Sequence, residues 1–294
     1  MKLDFICIGA QKAGTTTLHE ILKQHPDIYL PERKEAHFFD QEERFQKGTD
    51  WWWNNFFANN YKNQRVKGVI TPEYLYFKEV PNRIYTAFGA DTKIIVILRD
   101  PIDRAYSHYL MSKRRGYEKL SFEEAIFAEP NRIQQGEFER NHFSYIDRGR
   151  YLEQLKRYYS LFNPDNILTL VFEEDIKLNL QENVQKIEHF LNVDPLVLNT
   201  KIKSNQASEP KSMRLVSFLH QSNKYRSLFA KLIPSDNLKY KIKTFLVSIN
   251  QKPSKQSSIL TKSLKDSLFN QYFSDEVKQI ELLIGRDLEC WYKF

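Results

Sequence analysis

Hydrophobic residues follow two kinds of pattern along the 294-residue chain. Short, nearly continuous apolar runs occupy residues 5–8, 66–71, 93–98 and 166–172. Such runs are typical of parallel strands covered on both faces. Helical composition or a helical period marks residues 15–24, 101–115, 151–162, 181–191 and 260–284. This alternation predicts an α/β fold, a P-loop-like three-layer α/β/α domain with a central parallel sheet and a mostly helical C-terminal part.

The first predicted strand and helix are joined by a loop that Gly9 and Gly14 bracket. Loop N–H groups and the positive end of a helix converge on one point there, which favours an anion. The Gly-x-x-x-x-Gly spacing matches the start of a nucleoside-triphosphate P-loop. However, Thr15 stands where that loop needs lysine, and Lys12 comes earlier. The loop therefore indicates a phosphate-type anion without a dedicated metal position.

A second strand–turn–helix unit follows the run at residues 93–98. Pro101 falls in the first turn of the predicted helix, a position that proline favours. Ligands of parallel sheets bind at the carboxyl ends of the strands, where Arg99 lies. A guanidinium can hold a phosphate through two parallel hydrogen bonds. The alternative for Arg99 is a structural ion pair with Asp100 or Asp103.

Positive charge is concentrated in one part of the chain. Residues 201–265 hold 14 of the 44 Lys and Arg residues but only two of the 37 acidic ones, so their net charge is +12 against −5 for the remainder. Such asymmetry indicates an acidic partner or a solvated lysine-rich face. We expect a single domain over residues 1–294, in which the variable, basic and mainly helical residues 200–260 cover the acceptor or the cofactor.

Two cysteines, Cys7 and Cys290, are too few for a disulfide framework and indicate a reducing compartment. The N-terminus leaves no room for a signal peptide, and no apolar run is long enough to span a bilayer. These features predict a cytoplasmic protein. The aromatic residues at 51–53 and 56–57 predict a helix packed on the sheet, with a wall of the substrate cleft as the alternative.

Several motifs, taken in order, resemble one family. Gln11–Thr16 looks like the 5′-phosphosulfate loop of sulfotransferases that use 3′-phosphoadenosine 5′-phosphosulfate (PAPS). Residues 98–101, followed by 104–107, look like their 3′-phosphate site, and residues 34–40 resemble the segment with the catalytic glutamate in heparan-sulfate-type enzymes. Residues 148–151 with 154–155, and 285–288 with Trp291, also recur in bacterial members. The resemblance covers roughly residues 3–195 and 268–291.

The resemblance implies a PAPS-dependent sulfotransferase, of the bacterial carbohydrate type, whose product is adenosine 3′,5′-bisphosphate. Lys12 would stabilise the charge on the breaking P–O–S bridge, Glu35 would be the general base, and His37 would orient the base or the acceptor. The implied cofactor-binding residues are Lys12, Ala13, Gly14, Thr15, Thr16, Thr17, Arg99, Ser107, Lys252 and Lys255. No metal site is expected, because the histidines are scattered and no zinc-type spacing occurs.

The chain departs from the heparan-type pattern just before Thr71 and Pro72, where Val69 and Ile70 replace a charged residue. The acceptor therefore stays open between a sugar hydroxyl or amine, a glycolipid and a small natural product. Two other function classes are a P-loop nucleotide kinase or NTPase and a non-enzymatic binder of polyanions. No nucleic-acid motif occurs. Peripheral membrane contact and the oligomeric state are left open.

Overall fold

The computed structural model describes residues 3–58, 61–202, 208–212, 215–216, 242, 245–246, 249–253 and 260–292. Contacts between residues divide the chain into two compact units. The first consists of residues 1–104, 148–204 and 262–294, and the second of residues 105–147 and 205–261. A single domain over residues 1–294 stays a prediction.

The first unit is built on a sheet of five parallel strands. These are β1 (Phe5–Gly9), β2 (Ile28–Tyr29), β3 (Val66–Ile70), β4 (Lys93–Leu98) and β5 (Ile167–Val171). Their order across the sheet is β2-β3-β1-β4-β5, and all neighbouring pairs are parallel. The predicted α/β class with a central parallel sheet is confirmed. The loop after β1 and the turn after β4 therefore lie side by side at one edge of the sheet.

The central strands are apolar along their whole length because both faces are covered. Every residue of β1 is buried, as are residues 94–98 of β4. Between β1 and β3 the ring of Phe5 lies directly over Gly68. A Cβ atom at Gly68 would come within 2.1 Å of that ring, so only glycine fits there.

The helices connect the strands, as parallel pairing requires. In chain order they are α1 (Thr15–Leu22), α2 (Glu42–Phe45), α3 (Gly48–Phe56), α4 (Val80–Phe88), α5 (Pro101–Arg114), α6 (Phe122–Arg132), α7 (Glu137–Phe143), α8 (Tyr151–Tyr159), α9 (Leu180–Phe190), α10 (Lys262–Tyr272) and α11 (Ser274–Ile284). A short π-helix, Phe172–Ile176, follows β5, and a 3₁₀ turn, Glu289–Trp291, follows α11.

The prediction of one helix over residues 260–284 is wrong, because Phe273 interrupts it. Phe273 is buried, and its ring lies against Gly149, where a Cβ atom would be 2.9 Å away. Phe273 has a φ of −133° in place of the helical value, which separates α10 from α11 at this residue. Gly285 ends α11 in the left-handed conformation, as predicted for a C-terminal glycine.

The second unit contains α6, α7 and most of α5. Its buried polar centre is Glu118, whose carboxylate accepts hydrogen bonds from Tyr145 at 2.8 Å and Arg132 at 2.7 Å. Two short antiparallel strands, β6 (Ser208–Pro210) and β7 (Gln251–Pro253), also belong to it. Most of residues 200–260, predicted to be mainly helical, lie outside the described part of the chain.

Candidate active site

The glycine loop between β1 and α1 has a specific backbone conformation. Gly14 and Lys12 both lie in the left-handed region, with φ angles of 84° and 73°. A Cβ atom on Gly14 would come within 3.1 Å of side-chain carbons of Ile176 and Phe172. Conformation and close approach both favour glycine at position 14. Gly14 is also the N-cap residue of α1, so the loop leads straight into the helix.

Groups suited to an anion lie together at the N-terminus of α1. Within the described residues, no side chain caps this helix. The ammonium of Lys34, from the segment after β2, donates hydrogen bonds to the hydroxyls of Thr15 at 3.2 Å and Thr16 at 3.3 Å. The first helical turn, two hydroxyls and a cation fit a phosphate group. Sequence reasoning did not single out Lys34, because its contacts come from 18 and 19 positions away.

Arg99 borders the loop from the neighbouring strand. Its Nη1 donates to the carbonyl of Lys12 at 2.8 Å, and its guanidinium lies 4.7 Å above the ring of Phe172. Its buried Nε has no hydrogen-bond partner among the described residues. The hydroxyl of Tyr151 donates to the Arg99 carbonyl at 3.0 Å and fixes the turn. Arg99 is thus attached to the loop and keeps a donor to spare.

The alternative of an ion pair between Arg99 and the next carboxylates is not observed. Asp100 and Asp103 instead both pair with Lys265 of α10, each at 3.0 Å. Burial is the main reason that the pKa of Asp100 is raised to about 6, and the charge of Asp103 adds to it. Lys265 therefore balances both carboxylates, and Arg99 is not used for that purpose.

The π-helix after β5 forms a wall beside the loop. Phe172 and Ile176 are the side chains that contact Gly14. Arg286, just after α11, braces this wall through ion pairs with Glu174 and Asp175, the latter at 2.6 Å. The C-terminal segment therefore supports the glycine loop through one layer of side chains.

A cluster of titratable residues, called here the Glu35 cluster, consists of Glu35, His37, Asp40 and Glu73. His37 Nδ1 donates to Asp40 Oδ2 at 2.7 Å, and His37 Nε2 faces Glu35 Oε2 at 3.8 Å. Glu73 follows β3 and approaches both residues, with ligand atoms of all three within 4.8 Å of one another. Gln11 of the glycine loop donates to Glu73 at 3.0 Å. The cluster is thereby connected to the loop.

Glu35 and His37 converge because the chain turns at His37. Among the described residues, no strand includes positions 34–38, and His37 has a left-handed φ of 46°. The chain turns at His37 so that Asp40, three residues later, anchors the ring. Convergence therefore comes from a turn and not from the alternation of a strand.

Charges in the cluster shift the pKa values of Glu35, His37 and Glu73 in different directions. Burial opposes ionisation of Glu35, but hydrogen bonds and charges from His37 and Lys34 outweigh it and hold the pKa of that carboxyl below its ordinary value. Burial also opposes the charge on His37, but hydrogen bonds to Asp40 and Glu35 raise its pKa to about 10. Burial and the charge of Glu35 raise the pKa of Glu73. Near neutral pH, Glu35 is a carboxylate and His37 an imidazolium.

Aromatic residues support the segment that carries the cluster. Phe38 and Phe39 are fully buried, and the ring of Trp52 stacks on Phe38 at 5.1 Å. Backbone N–H groups of Phe38 and Phe39 donate to the hydroxyl of Tyr74 at 3.2 and 3.4 Å. The central tryptophan of the aromatic block thus packs α3 against this segment.

Glu35, His37 and Glu73 also have the residue types of a metal site. A metal bound there would have to displace the proton of His37, whose retention Asp40 and Glu35 favour. The ammonium of Lys34, 2.9 Å from Glu35, adds a second positive charge. This environment suits proton transfer better than cation binding.

The remaining predicted site residues lie elsewhere in the chain. Ser107 is half-buried on α5 and belongs to the second unit, as does Lys252 on β7. Lys255 lies outside the described residues. Asp40 and Glu73 had no predicted role, although Asp40 ends the motif at residues 34–40 and Glu73 directly follows Pro72.

In the described part of the chain, no helix is both long and apolar enough to cross a membrane.

The known proteins that this chain resembles are sulfotransferases. Residues 2–256 match the sulfotransferase domain family. The chain is 30% identical over 205 residues to mouse heparan sulfate glucosamine 3-O-sulfotransferase 3B1, covering 68% of this chain and 49% of the relative. Human heparan sulfate glucosamine 3-O-sulfotransferase 5 is 29% identical over 195 residues, covering 65% and 54%. The chain therefore spans about half the length of these relatives.

A solved structure extends the likeness over the whole chain. The crystal structure of a sulfotransferase from Alicyclobacillus acidocaldarius has a TM-score of 0.70, 26% sequence identity and full coverage of both chains. With the family match across most of the sequence, this establishes that the chain belongs to the sulfotransferase domain family.

Proposed function

We propose that this protein is a sulfotransferase that moves the sulfuryl group of PAPS to a hydroxyl of a glycan acceptor. The observation that carries the proposal is the position of the Glu35 cluster. Lys34 connects Glu35 directly to the hydroxyls of Thr15 and Thr16 at the N-terminus of α1. The ammonium of Lys34 thus contacts both a carboxylate base and a phosphate-type site.

The donor side of the site uses the glycine loop and Arg99. Gly14, Thr15, Thr16 and Thr17 would bind the 5′-phosphate through backbone N–H and hydroxyl groups. Ala13 would line the same site, with its own N–H donated to the carbonyl of Ala10. Arg99 would hold the 3′-phosphate with its guanidinium, which Lys12 and Phe172 already orient. The family resemblance is also the basis for proposing Ser107, Lys252 and Lys255 as cofactor-binding residues. Thr15 replaces the lysine that a nucleoside-triphosphate P-loop requires, and so the kinase alternative lacks support.

On the acceptor side, Glu35 takes the proton as the acceptor oxygen forms its bond to sulfur. The bond between sulfur and the bridging oxygen breaks in line, and its electron pair stays on that oxygen. Lys12 stabilises this negative charge, the kind of interaction that contributes most in such reactions. His37 cannot be the base while it holds its own proton. It positions Glu35 instead, and Asp40 positions His37.

The names of the relatives favour a sugar hydroxyl as the acceptor. Two of the matched relatives are heparan sulfate glucosamine 3-O-sulfotransferases. An amine acceptor is the alternative, since it can attack without a base. We place the reaction in the cytoplasm, because both cysteines are free thiols, which fits a reducing compartment.

The test is a transfer assay with ³⁵S-labelled PAPS against panels of oligosaccharides, glycolipids, and small alcohols and amines. We expect transfer to at least one glycan, and we expect the Glu35→Gln protein to lose it. The Glu20→Gln protein is the matched control, because Glu20 is an exposed carboxylate on α1 outside the cluster. Magnesium-dependent hydrolysis of ATP without sulfuryl transfer would refute the proposal in favour of a kinase or NTPase.

A further inference from the structure

Lys34 makes contacts that the proposed reaction does not yet use. Its side chain is 15% exposed, and Nζ makes hydrogen bonds to Thr15 Oγ1, Thr16 Oγ1 and Glu35 Oε1. An ammonium has three hydrogen-bond donors, so these contacts use all of them. A single lysine thus joins the proposed phosphate site to the proposed base.

The contacts to the threonines leave their hydroxyls free to donate. A hydroxyl that accepts a hydrogen bond through a lone pair still has its own proton to give. The ammonium therefore orients Thr15 and Thr16 as donors toward an anion at the N-terminus of α1. The ammonium itself also lies close enough to bind that anion directly, because it already makes hydrogen bonds to the two hydroxyls that would contact the anion.

The third contact restrains Glu35. The carboxylate is 2.9 Å from the ammonium, and this pair contributes to holding the pKa of Glu35 below its ordinary value. A carboxylate in that state is a weak base for a hydroxyl proton. If an anion replaced Glu35 as the third partner of Lys34, the carboxylate would lose one stabilising cation and become more basic.

We propose that Lys34 is a shared ligand that couples donor binding to the basicity of Glu35. In the free protein the lysine donates a hydrogen bond to Glu35. When the donor is bound, the lysine donates that hydrogen bond to the 5′-phosphate group instead. Glu35 is then left with His37 alone and takes the acceptor proton more readily. The inference rests on the proposed function and adds to it an order of events, in which donor binding activates the base.

The coupling makes Glu35 a competitor of the 5′-phosphate for Lys34. We therefore expect removal of the Glu35 charge to tighten binding of adenosine 3′,5′-bisphosphate by about two- to fivefold, the range for a partly exposed ion pair. Lys34→Met should weaken the same binding by about tenfold or more, as for loss of a hydrogen bond to a charged group. The gain from Glu35→Gln should disappear when Lys34 is already methionine.

The experiment is a double-mutant cycle measured by calorimetric titration with the bisphosphate. It compares wild type, Glu35→Gln, Lys34→Met and the double variant. Lys34→Gln replaces Lys34→Met if the latter melts at a lower temperature. Glu73→Gln is the matched control, because it removes a carboxyl of the same cluster that has no contact with Lys34 among the hydrogen bonds described. Its effect should be the same in both Lys34 backgrounds.

Two outcomes separate the inference from the function. If Glu35→Gln tightens binding equally with and without Lys34, only general repulsion is present and the coupling is refuted. The coupling is also refuted if Lys34→Met binds the bisphosphate as tightly as wild type. If the wild-type protein binds neither the bisphosphate nor AMP, the proposed donor site itself fails, and the inference fails with it.

Discussion

The most specific prediction is that the variant Asp40→Asn lowers the pKa of His37, because it removes the ion pair between the two residues. The hydrogen bond from Nδ1 to Oδ2 is 2.7 Å long, and the Asp40 side chain is only 3% exposed. An amide at this position still offers an oxygen to Nδ1 but no charge. The change therefore tests the charge of Asp40 with little change of shape.

The expected size follows from the charge-assisted hydrogen bond. Such a bond contributes about 1.5–3 kcal/mol, and each pKa unit corresponds to about 1.4 kcal/mol. The pKa of His37, which is about 10 in the wild-type protein, should therefore fall by roughly one to two units. A neutral His37 keeps its Nδ1 proton for Asp40 and turns a lone pair on Nε2 toward Glu35, so positioning of the base is lost.

Two measurements check this. Histidine ring resonances followed by NMR from pH 5 to 11 should give the pKa of His37 in each protein, and the alkaline limb of kcat/KM should move down by the same amount. Glu20→Gln is the matched control, because Glu20 Oε1 lies 3.0 Å from His19 Nδ1 and does not touch the cluster. A wild-type His37 that titrates near 6.5, or an alkaline limb that Asp40→Asn leaves in place, would refute the reasoning.

The same pKa predicts how stability depends on pH. Folding raises the pKa of His37 from 6.5 to about 10. Its contribution to the free energy of unfolding is therefore complete below the lower value and is lost as the pH rises through the upper one. Denaturant titrations should show this decline in wild type and a flatter profile in His37→Ala. Parallel profiles would contradict it.

Three further predictions concern single residues. Lys12→Ala should lower turnover by about 10²–10³-fold, with a much smaller loss of bisphosphate affinity; activity within a few-fold of wild type would assign the bridging charge to another cation. Glu35→Gln should lower transfer by about 10²–10⁴-fold and His37→Ala by less, whereas the reverse order would make His37 the base. The bisphosphate should raise the melting temperature more than AMP does, without added metal, and Arg99→Ala should remove most of that difference; equal shifts in wild type would eliminate the 3′-phosphate site.

The sequence predicts those parts of the fold in which a residue type is explained by a single local cause. Continuous apolar runs identify strands β1 and β4, and Gly14 marks the loop because a positive φ and a close approach both demand glycine. The helix α6 had no prediction, although Ser121 and Glu124 form a capping box at its start. The break at Phe273 also escaped prediction, since its cause, the packing against Gly149, lies more than 120 positions away.

The candidate site divides in the same way. Residues 11–17, 35, 37 and 99 belong to motifs that are local in sequence and can be identified from it. The roles of Lys34 and Glu73 cannot, because they depend on contacts with the separate glycine-loop segment. Asp40 lies in the motif at residues 34–40, but its role depends on the turn at His37. Glu73, in particular, reaches the cluster only after β3 pairs with β1 and brings its turn beside the glycine loop. A carboxyl group of this kind has no signal in the sequence except its place after Thr71 and Pro72.

The brace that Arg286 provides has a consequence for synthesis of the chain. The glycine loop is synthesised long before Arg286, but the wall against Gly14 is held by ion pairs to Arg286 and by the hydrogen bond from Trp291 to Glu173. A nascent chain that lacks Arg286 and Trp291 can form β1 and α1 without a firm wall beside them. Ribosome-stalled chains ending before residue 286 should therefore leave the glycine loop open to protease, and release of the longer chain should close it.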